Sequence, residues 1–341
     1  MTKPLVLLTG PTGFVGAHVF HALLTNGYRV RGTIRHEGGA DFLRQQYPSH
    51  TSDMEFVIVP DIQAAGVLDS ATKDVDYICH VASPYFTSTH DPIKELVEPA
   101  VNGTKNVVAS ALKSGDRLKR MTIVSSFAAV VDLSKDPRPG YTYTEEDWNP
   151  VTEEEAAENG TLGYFASKTF AERSAWEMWM GARPRPGWDL VTFCPPMIYG
   201  PPIHEVHRER GIEGLNTSVK MLVQGVMGQD PKFAPKVATP GIPAWVDVRD
   251  VAKAHVAALD LPEGTSQRFL LCSSISYFED GLAGHRVKGT KGLGEQGERC
   301  DPKNHFAIDT SRARKILGFD PIPIQQTIED VWERMRELGM I

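Results

Sequence analysis

Thr9-Gly10-Pro11-Thr12-Gly13-Phe14-Val15-Gly16 stands between the apolar run Leu5–Thr9 and a helically spaced segment at 17–24. Glycines at every third position allow a tight turn. They also let backbone N–H groups approach an anion and let a helix pack closely on a strand. At the start of the following helix, unpaired amides add partial positive charge. Such a triplet alone is weak, since any turn can hold glycines. Placed between a first strand and a first helix, it predicts a dinucleotide pyrophosphate held by Gly10, Thr12, Gly13, Phe14, Val15 and Gly16.

Outward from this loop, strand-like and helical patterns alternate. Residues 29–34, 55–59, 77–81, 121–125 and 189–194 read as strands, and 97–112 and 163–180 as helices. In the last, Ala171, Ser174, Ala175 and Met178 stand at i, i+3, i+4 and i+7. This alternation, with near-continuous apolar strands, predicts an α/β fold: a doubly wound parallel sheet, Rossmann-like, with helices on both faces. After Cys194 the texture breaks into Pro-rich turns, with a strand and helix at 245–261 and one more strand at 268–272. The expected division is a cofactor domain at 1–195 and 244–273, and a smaller discontinuous substrate-binding lobe at 196–243 and 274–341.

Residue 35 bears on the choice of dinucleotide. An acid near the end of the second strand would bind a free ribose 2′-hydroxyl. Here the segment reads Arg29-Val-Arg31-Gly-Thr33-Ile-Arg35-His36, with a guanidinium where the acid is expected. Arg binds phosphate bidentately and stays charged, which favours NADP(H). The plainer reading makes Arg29, Arg31 and Arg35 a solvated edge.

Tyr164-Phe-Ala-Ser-Lys168 puts a phenol and an ammonium on one helical face. A nearby cation favours the phenolate, so the pair can give or take a proton at a carbonyl oxygen. Alone, that spacing is common on ordinary helices. Its weight comes from Ser125 and Ser126, at the carboxyl end of the strand at 121–125, where ligands of open parallel sheets bind. Val81-Ala82-Ser83 lies at another such end.

The chain has 341 residues and a net charge of -7, with 41% hydrophobic and 23% charged residues. That composition excludes disorder and coiled coil, and gives no bulk attraction for nucleic acid or anionic membrane. No stretch approaches a membrane span, and the first apolar run is too short for a signal core. Cys79, Cys194, Cys272 and Cys300 form no CxxC pattern, so neither a disulfide framework nor a metal site is expected, and the cytoplasm is the expected compartment. His204 and His207 lack a third ligand and read as surface, Cys79-His80 as a core pair, and Asn102, Asn159 and Asn216 as chance glycosylation tripeptides.

Taken together, TGPTGFVG (9–16), HVASP (80–84), VSSFAAV (124–130), YFASK (164–168), CPPMIYGP (194–201) and WVDVRDVAKAH (245–255) resemble the extended short-chain dehydrogenase/reductases. The resemblance is to the branch of dihydroflavonol 4-reductase, cinnamoyl-CoA reductase and, most closely, the fungal NADPH-dependent methylglyoxal/aldehyde/ketone reductases. It covers about residues 4–273 and resumes at DTSRARKILGF (309–319). It implies a Ser126–Tyr164–Lys168 triad, with Ser125 as second choice for the serine, Tyr164 and Lys168 also among the cofactor-binding residues, and Lys168 holding the nicotinamide ribose. It places Arg35 at the 2′-phosphate, Asp61 and Ile62 at the adenine, Val81, Ala82 and Ser83 beside the ribose, and Pro195 to Ile198 along the nicotinamide. Tyr85, Phe127 and Met197 would line the substrate pocket. The implied activity is an NADPH-dependent reduction of an aldehyde or ketone by a monomer or homodimer. The rivals are an NAD-linked epimerase, dehydratase or hydroxysteroid-type dehydrogenase on the same scaffold, and a non-catalytic NADP-binding redox sensor. The sequence departs from the pattern at 276–300, where six glycines and few large apolar residues disfavour the expected helix.

Overall fold

The computed structural model describes residues 3–83, 89–135, 137–184, 186–227, 242–276 and 301–341. Tyr85 and 277–300 of the glycine-rich segment therefore lie outside the described residues. In chain order the regular elements are β1 (Leu5–Thr9), α1 (Phe14–Thr25), β2 (Arg29–Ile34), α2 (Glu37–Gln46), β3 (Met54–Ile58), β4 (Tyr77–His80), α3 (Glu98–Ala111), β5 (Arg120–Val124), β6 (Thr142–Tyr143), α4 (Glu153–Ala156), α5 (Gly160–Gly181), β7 (Asp189–Cys194), β8 (Met197–Tyr199), α6 (Thr217–Met227), β9 (Ala244–Asp247), α7 (Val248–Leu259), β10 (Gln267–Leu270), β11 (Ser274–Ile275), β12 (Ala307–Ile308), α8 (Ser311–Leu317) and α9 (Ile324–Glu337).

The seven-stranded sheet has the order β10-β7-β5-β4-β1-β2-β3. The pairs from β7 through to β3 are parallel, and β10 completes the β7 edge. This is the doubly wound α/β sheet that the sequence predicts. Alternate residues of β1 feed opposite faces. Leu5 and Leu7 pack with Val107, Val108, Ala111 and Ala175 of α3 and α5. Val6 and Leu8 pack with Val19, Phe20 and Leu23 of α1 and with Ala252 and Val256 of α7. Both faces of β1 are covered, which is why that strand is buried throughout and apolar up to Thr9.

The strand order reverses between β1 and β4, so the carboxyl ends of these two strands flank the switch-point crevice of the fold. One compact unit comprises 1–132, 145–194 and 252–269; the other comprises 133–144, 195–251 and 270–341. Residues 133–144 and 244–251 fall in the second unit because their strands pair there. In that unit β9 pairs in parallel with β8 and antiparallel with β11, and β6 pairs with β12. Trp245 and Tyr199 are fully buried there, and Tyr143 meets Phe306 edge-on at 5.2 Å.

Candidate active site

The glycine loop is fixed by contacts that tolerate no side chain at two of its positions. Gly10 has φ of 71°, and a Cβ there would meet the Ala82 backbone at 3.1 Å. At Gly16 a Cβ would lie 1.8 Å from the Gly10 carbonyl oxygen. That same oxygen accepts from the Gly13 N–H at 3.2 Å. Gly13 begins α1 without a side-chain cap, and the first turn holds no acid. The leading amides and the positive end of the helix dipole are thus left for an anion.

A hydroxyl closes the loop from below. Thr9 Oγ1 accepts from the Val81 and Ala82 N–H groups at 3.0 and 3.1 Å and meets His80 Nδ1 at 2.8 Å. With both lone pairs filled, the threonine proton must go to His80 Nδ1, so the imidazole is neutral with its proton on Nε2. Burial, aided by the Lys168 charge, pushes His80 down to about 3, in keeping with that tautomer. Thr9 and His80 therefore hold the 81–83 turn against the loop.

Asn159 caps α5, accepting from the Leu162 N–H at 3.0 Å. The helix packs so closely on the segment before α3 that a Cβ on Gly163 would meet the Pro92 Cβ at 2.5 Å. This seats Tyr164 half-buried and Lys168 almost fully buried. Lys168 Nζ donates to Ser83 Oγ at 2.8 Å and lies 5.6 Å from the centre of the Tyr164 ring. Burial lowers the ammonium from 10.5 to about 8.

That depression fixes the sign of a pH effect. Below pH 8 the folded and unfolded chains both hold the Lys168 proton, and the cost of burying the charge is in full force. Between about 8 and 10.5 the folded form sheds its proton first, so stability rises with pH. The span corresponds to about 3 kcal/mol. Urea unfolding of wild type and Lys168→Met on either side of pH 8 should show this rise in wild type and lose it in the variant.

The two serines differ in their bonding. Ser125 Oγ donates to the buried Glu172 carboxylate at 2.6 Å. Ser126 Oγ accepts from the Ala128 N–H at 3.1 Å, and its own proton is uncommitted among the described residues. Phe127, next in line, is buried.

On β2, Arg29 and Arg31 are both paired with Glu55. Arg31 also donates to the carbonyls of Ala71 and Lys73. The solvated-edge reading therefore does not hold for Arg31, which is anchored in the protein. Arg35, just past β2, is exposed and has no hydrogen-bond or ion-pair partner among the described residues. Asp61 accepts from the Gln63 N–H at 2.9 Å, and the Ile62 carbonyl accepts from Asn106 at 3.0 Å. The parallel strands thus bring the glycine loop, Arg35, 61–62, 81–83 and Ser126 to one edge of the sheet, and the Lys168–Ser83 bond joins Tyr164 and Lys168 to it. Pro195, Met197 and Ile198 belong to the second unit. His204 differs from its surface reading: it is half-buried, and burial pushes it down to about 4. No group of three potential metal-ligating side chains occurs among the described residues.

The family model described as the NAD dependent epimerase/dehydratase family matches residues 6–272. The chain belongs to this family. The matched span of the epimerase/dehydratase family includes every candidate site residue named above. Three relatives show the range of similarity. An uncharacterized oxidoreductase of Schizosaccharomyces pombe is 39% identical, with 99% of each chain covered. The ketoreductase azaE of Aspergillus niger is 33% identical, with 97% of each covered. A solved structure, yeast methylglyoxal/isovaleraldehyde reductase Gre2 complexed with NADPH, superposes with a TM-score of 0.84 at 28% identity, covering 99% of this chain and 100% of that one.

Within this epimerase/dehydratase scaffold the sequence reading missed several side chains that support the site. Glu172 and Arg268 form a buried pair, and Asn149 ties its own segment to Ala128 and Ala129. Only the placement of Glu172 one helical turn beyond Lys168 was visible in the sequence, and a lone acid on a helix does not announce a buried partner 96 residues away.

Proposed function

We propose that the chain is an NADPH-dependent carbonyl reductase that turns an aldehyde or ketone into an alcohol. The observation that carries this reading is the buried Lys168 ammonium, bonded to Ser83 beside the cofactor loop and lying next to the Tyr164 ring. It accords with the activities that the ketoreductase and Gre2 names state. The epimerase or dehydratase and redox-sensor readings are not favoured.

The residues present fit a dinucleotide phosphate. Gly10, Thr12, Gly13, Phe14, Val15 and Gly16 would hold the pyrophosphate, Arg35 the 2′-phosphate, Asp61 and Ile62 the adenine, and Val81, Ala82, Ser83 and Lys168 the ribose. Pro195 and Ile198 are assigned to the nicotinamide. NADPH, when bound, supplies the hydride that reaches the carbonyl carbon. Tyr164 gives its phenolic proton to the carbonyl oxygen, and the Lys168 charge steadies the phenolate left behind. Ser126 donates its uncommitted proton to the same oxygen, where charge develops. Tyr85, Phe127 and Met197 would face the substrate. We assign NADPH to a cofactor domain at 1–195 and 244–273 and the substrate to a lobe at 196–243 and 274–341, in a monomer or homodimer. A cytoplasmic location accords with free, buried Cys79, Cys194 and Cys272.

Arg35 sets the cofactor test. Losing a charge-assisted phosphate contact costs about 1.5–3 kcal/mol, or roughly 10- to 100-fold in Kd. Fluorescence titration of Arg35→Ala should show that loss for NADPH and almost none for NADH. Equal losses for both would remove Arg35 from the 2′-phosphate. Oxidation of NADPH by a panel of aldehydes and ketones tests the activity itself; a panel with no turnover would overturn the reading.

A further inference from the structure

Tyr164, Lys168 and Glu172 follow one another at four-residue steps on one face of α5. The first two are assigned above, and Glu172 has no role in that account. Its carboxylate is 1% exposed and collects donors from three strands. Oε1 accepts from Thr192 Oγ1 of β7 at 2.6 Å and from Arg268 Nε of β10 at 2.8 Å. Oε2 accepts from Ser125 Oγ, past β5, at 2.6 Å and from Arg268 Nη2 at 3.2 Å. With both oxygens engaged from fixed strands, the carboxylate has a single orientation, and Ser125 is held with it.

The second half of the pair reaches the same place by another route. Arg268 Nη1 donates to the carbonyls of Glu145 and Asp147 at 2.8 and 2.7 Å. Its guanidinium lies 3.7 Å over the Trp148 ring. Two bonds from the next residue, Asn149, then hold the turn at 127–129: Nδ2 to the Ala128 carbonyl at 2.8 Å, and N–H to the Ala129 carbonyl at 2.9 Å. The amide of Ala128 is the donor that holds Ser126 Oγ. Ser126 thus stands between two residues, Ser125 and Ala128, each fixed through the same ion pair. Its backbone is extended, so its side chain projects away from that of Ser125.

Stability alone gives little reason for such a pair. Desolvating two charges offsets most of their attraction, and apolar side chains of similar volume would hold these strands about as well. What an ion pair adds is direction. We propose that Glu172 and Arg268 are positioning residues, acting through Ser125 and the 145–149 segment to set where the Ser126 hydroxyl points. This deepens the reductase reading and rests on it.

Ser125→Ala is the cleanest test, because it removes one contact and leaves Glu172 with its other donors. The expected result is unchanged NADPH titration and a lower melting temperature from the lost buried hydrogen bond, with kcat per folded site lower by about 10- to 100-fold, the scale set by small misplacements of a catalytic group. The primary deuterium isotope effect on kcat, measured with NADPH labelled at the transferred hydrogen, should rise as hydride transfer becomes limiting. A merely structural role would lower the melting temperature as well but leave turnover per folded site intact. Glu172→Gln should shift kcat in the same direction; where it does not fold, Ser125→Ala decides. Wild-type kcat and isotope effect in Ser125→Ala, with Ser126→Ala inactive, overturns the positioning role and leaves the reductase reading standing. Wild-type kcat in Ser126→Ala overturns the assignment of that serine and the positioning role with it.

Discussion

Replacing Tyr164 by Phe should leave NADPH binding intact and lower carbonyl reduction about a thousandfold. The substitution removes one oxygen from a half-buried ring and none of the groups assigned to the dinucleotide backbone. Lys168 keeps its bond to Ser83, so the ribose end of the site is undisturbed. What disappears is the proton for the nascent alkoxide. Ser126 can still donate a hydrogen bond to that oxygen, but an aliphatic hydroxyl is far less acidic than a phenol and cannot take over proton transfer. The loss should therefore fall on kcat, with the cofactor Kd unchanged, as read by single-turnover NADPH oxidation and fluorescence titration. A Tyr164→Phe enzyme with wild-type turnover would sink the mechanism.

The elements that place Tyr164 were largely legible in the sequence, for a physical reason. A strand of a covered parallel sheet buries both faces, so 5–9 stands out as an apolar run and 29–34, with its β-branched residues, and 189–194 read as strand-like, and the structure gives β1, β2 and β7 those same limits. The ends of α5 were less legible. Asn159-Gly160 looks like a turn, yet the Asn side chain caps the helix and Gly160 is its first residue. Ordinary periodicity also missed the wide, π-helical turn at Ile93–Val97 that precedes α3. The glycine loop, the Tyr164–Lys168 spacing and the serines were visible because each depends on short-range chemistry. The supporting shell was not. Arg268 lies in an apolar strand, where an unpaired charge would be costly, and only the fold supplies Glu172 and the carbonyls that satisfy it. Thr9 gave no local sign either, because its partners arrive from β4, 71 residues on.

Gly16→Ala should damage both folding and cofactor binding, and comparison with Gly13→Ala separates the two effects. At position 16 the new methyl would stand 1.8 Å from the Gly10 carbonyl oxygen and 2.7 Å from its carbon. Both atoms are backbone, so no rotamer relieves the overlap. Either α1 moves off the sheet, opening the packing of Val19, Phe20 and Leu23 on Val6 and Leu8, or the Gly10 peptide turns and releases the Gly13 N–H. Overpacking of this kind costs about 3 kcal/mol or more, and each escape route spoils the row of amides assigned to the pyrophosphate. At position 13 the methyl would meet that carbonyl oxygen at 3.6 Å, an ordinary contact, and φ of -86° suits any residue. Gly13→Ala should lose about 1 kcal/mol or less in urea unfolding. It should still bind NADPH more weakly, because a side chain now stands where the phosphates approach. If Gly16→Ala unfolds at the wild-type urea concentration and binds NADPH normally, the glycine triplet is an ordinary turn and the dinucleotide site lies elsewhere.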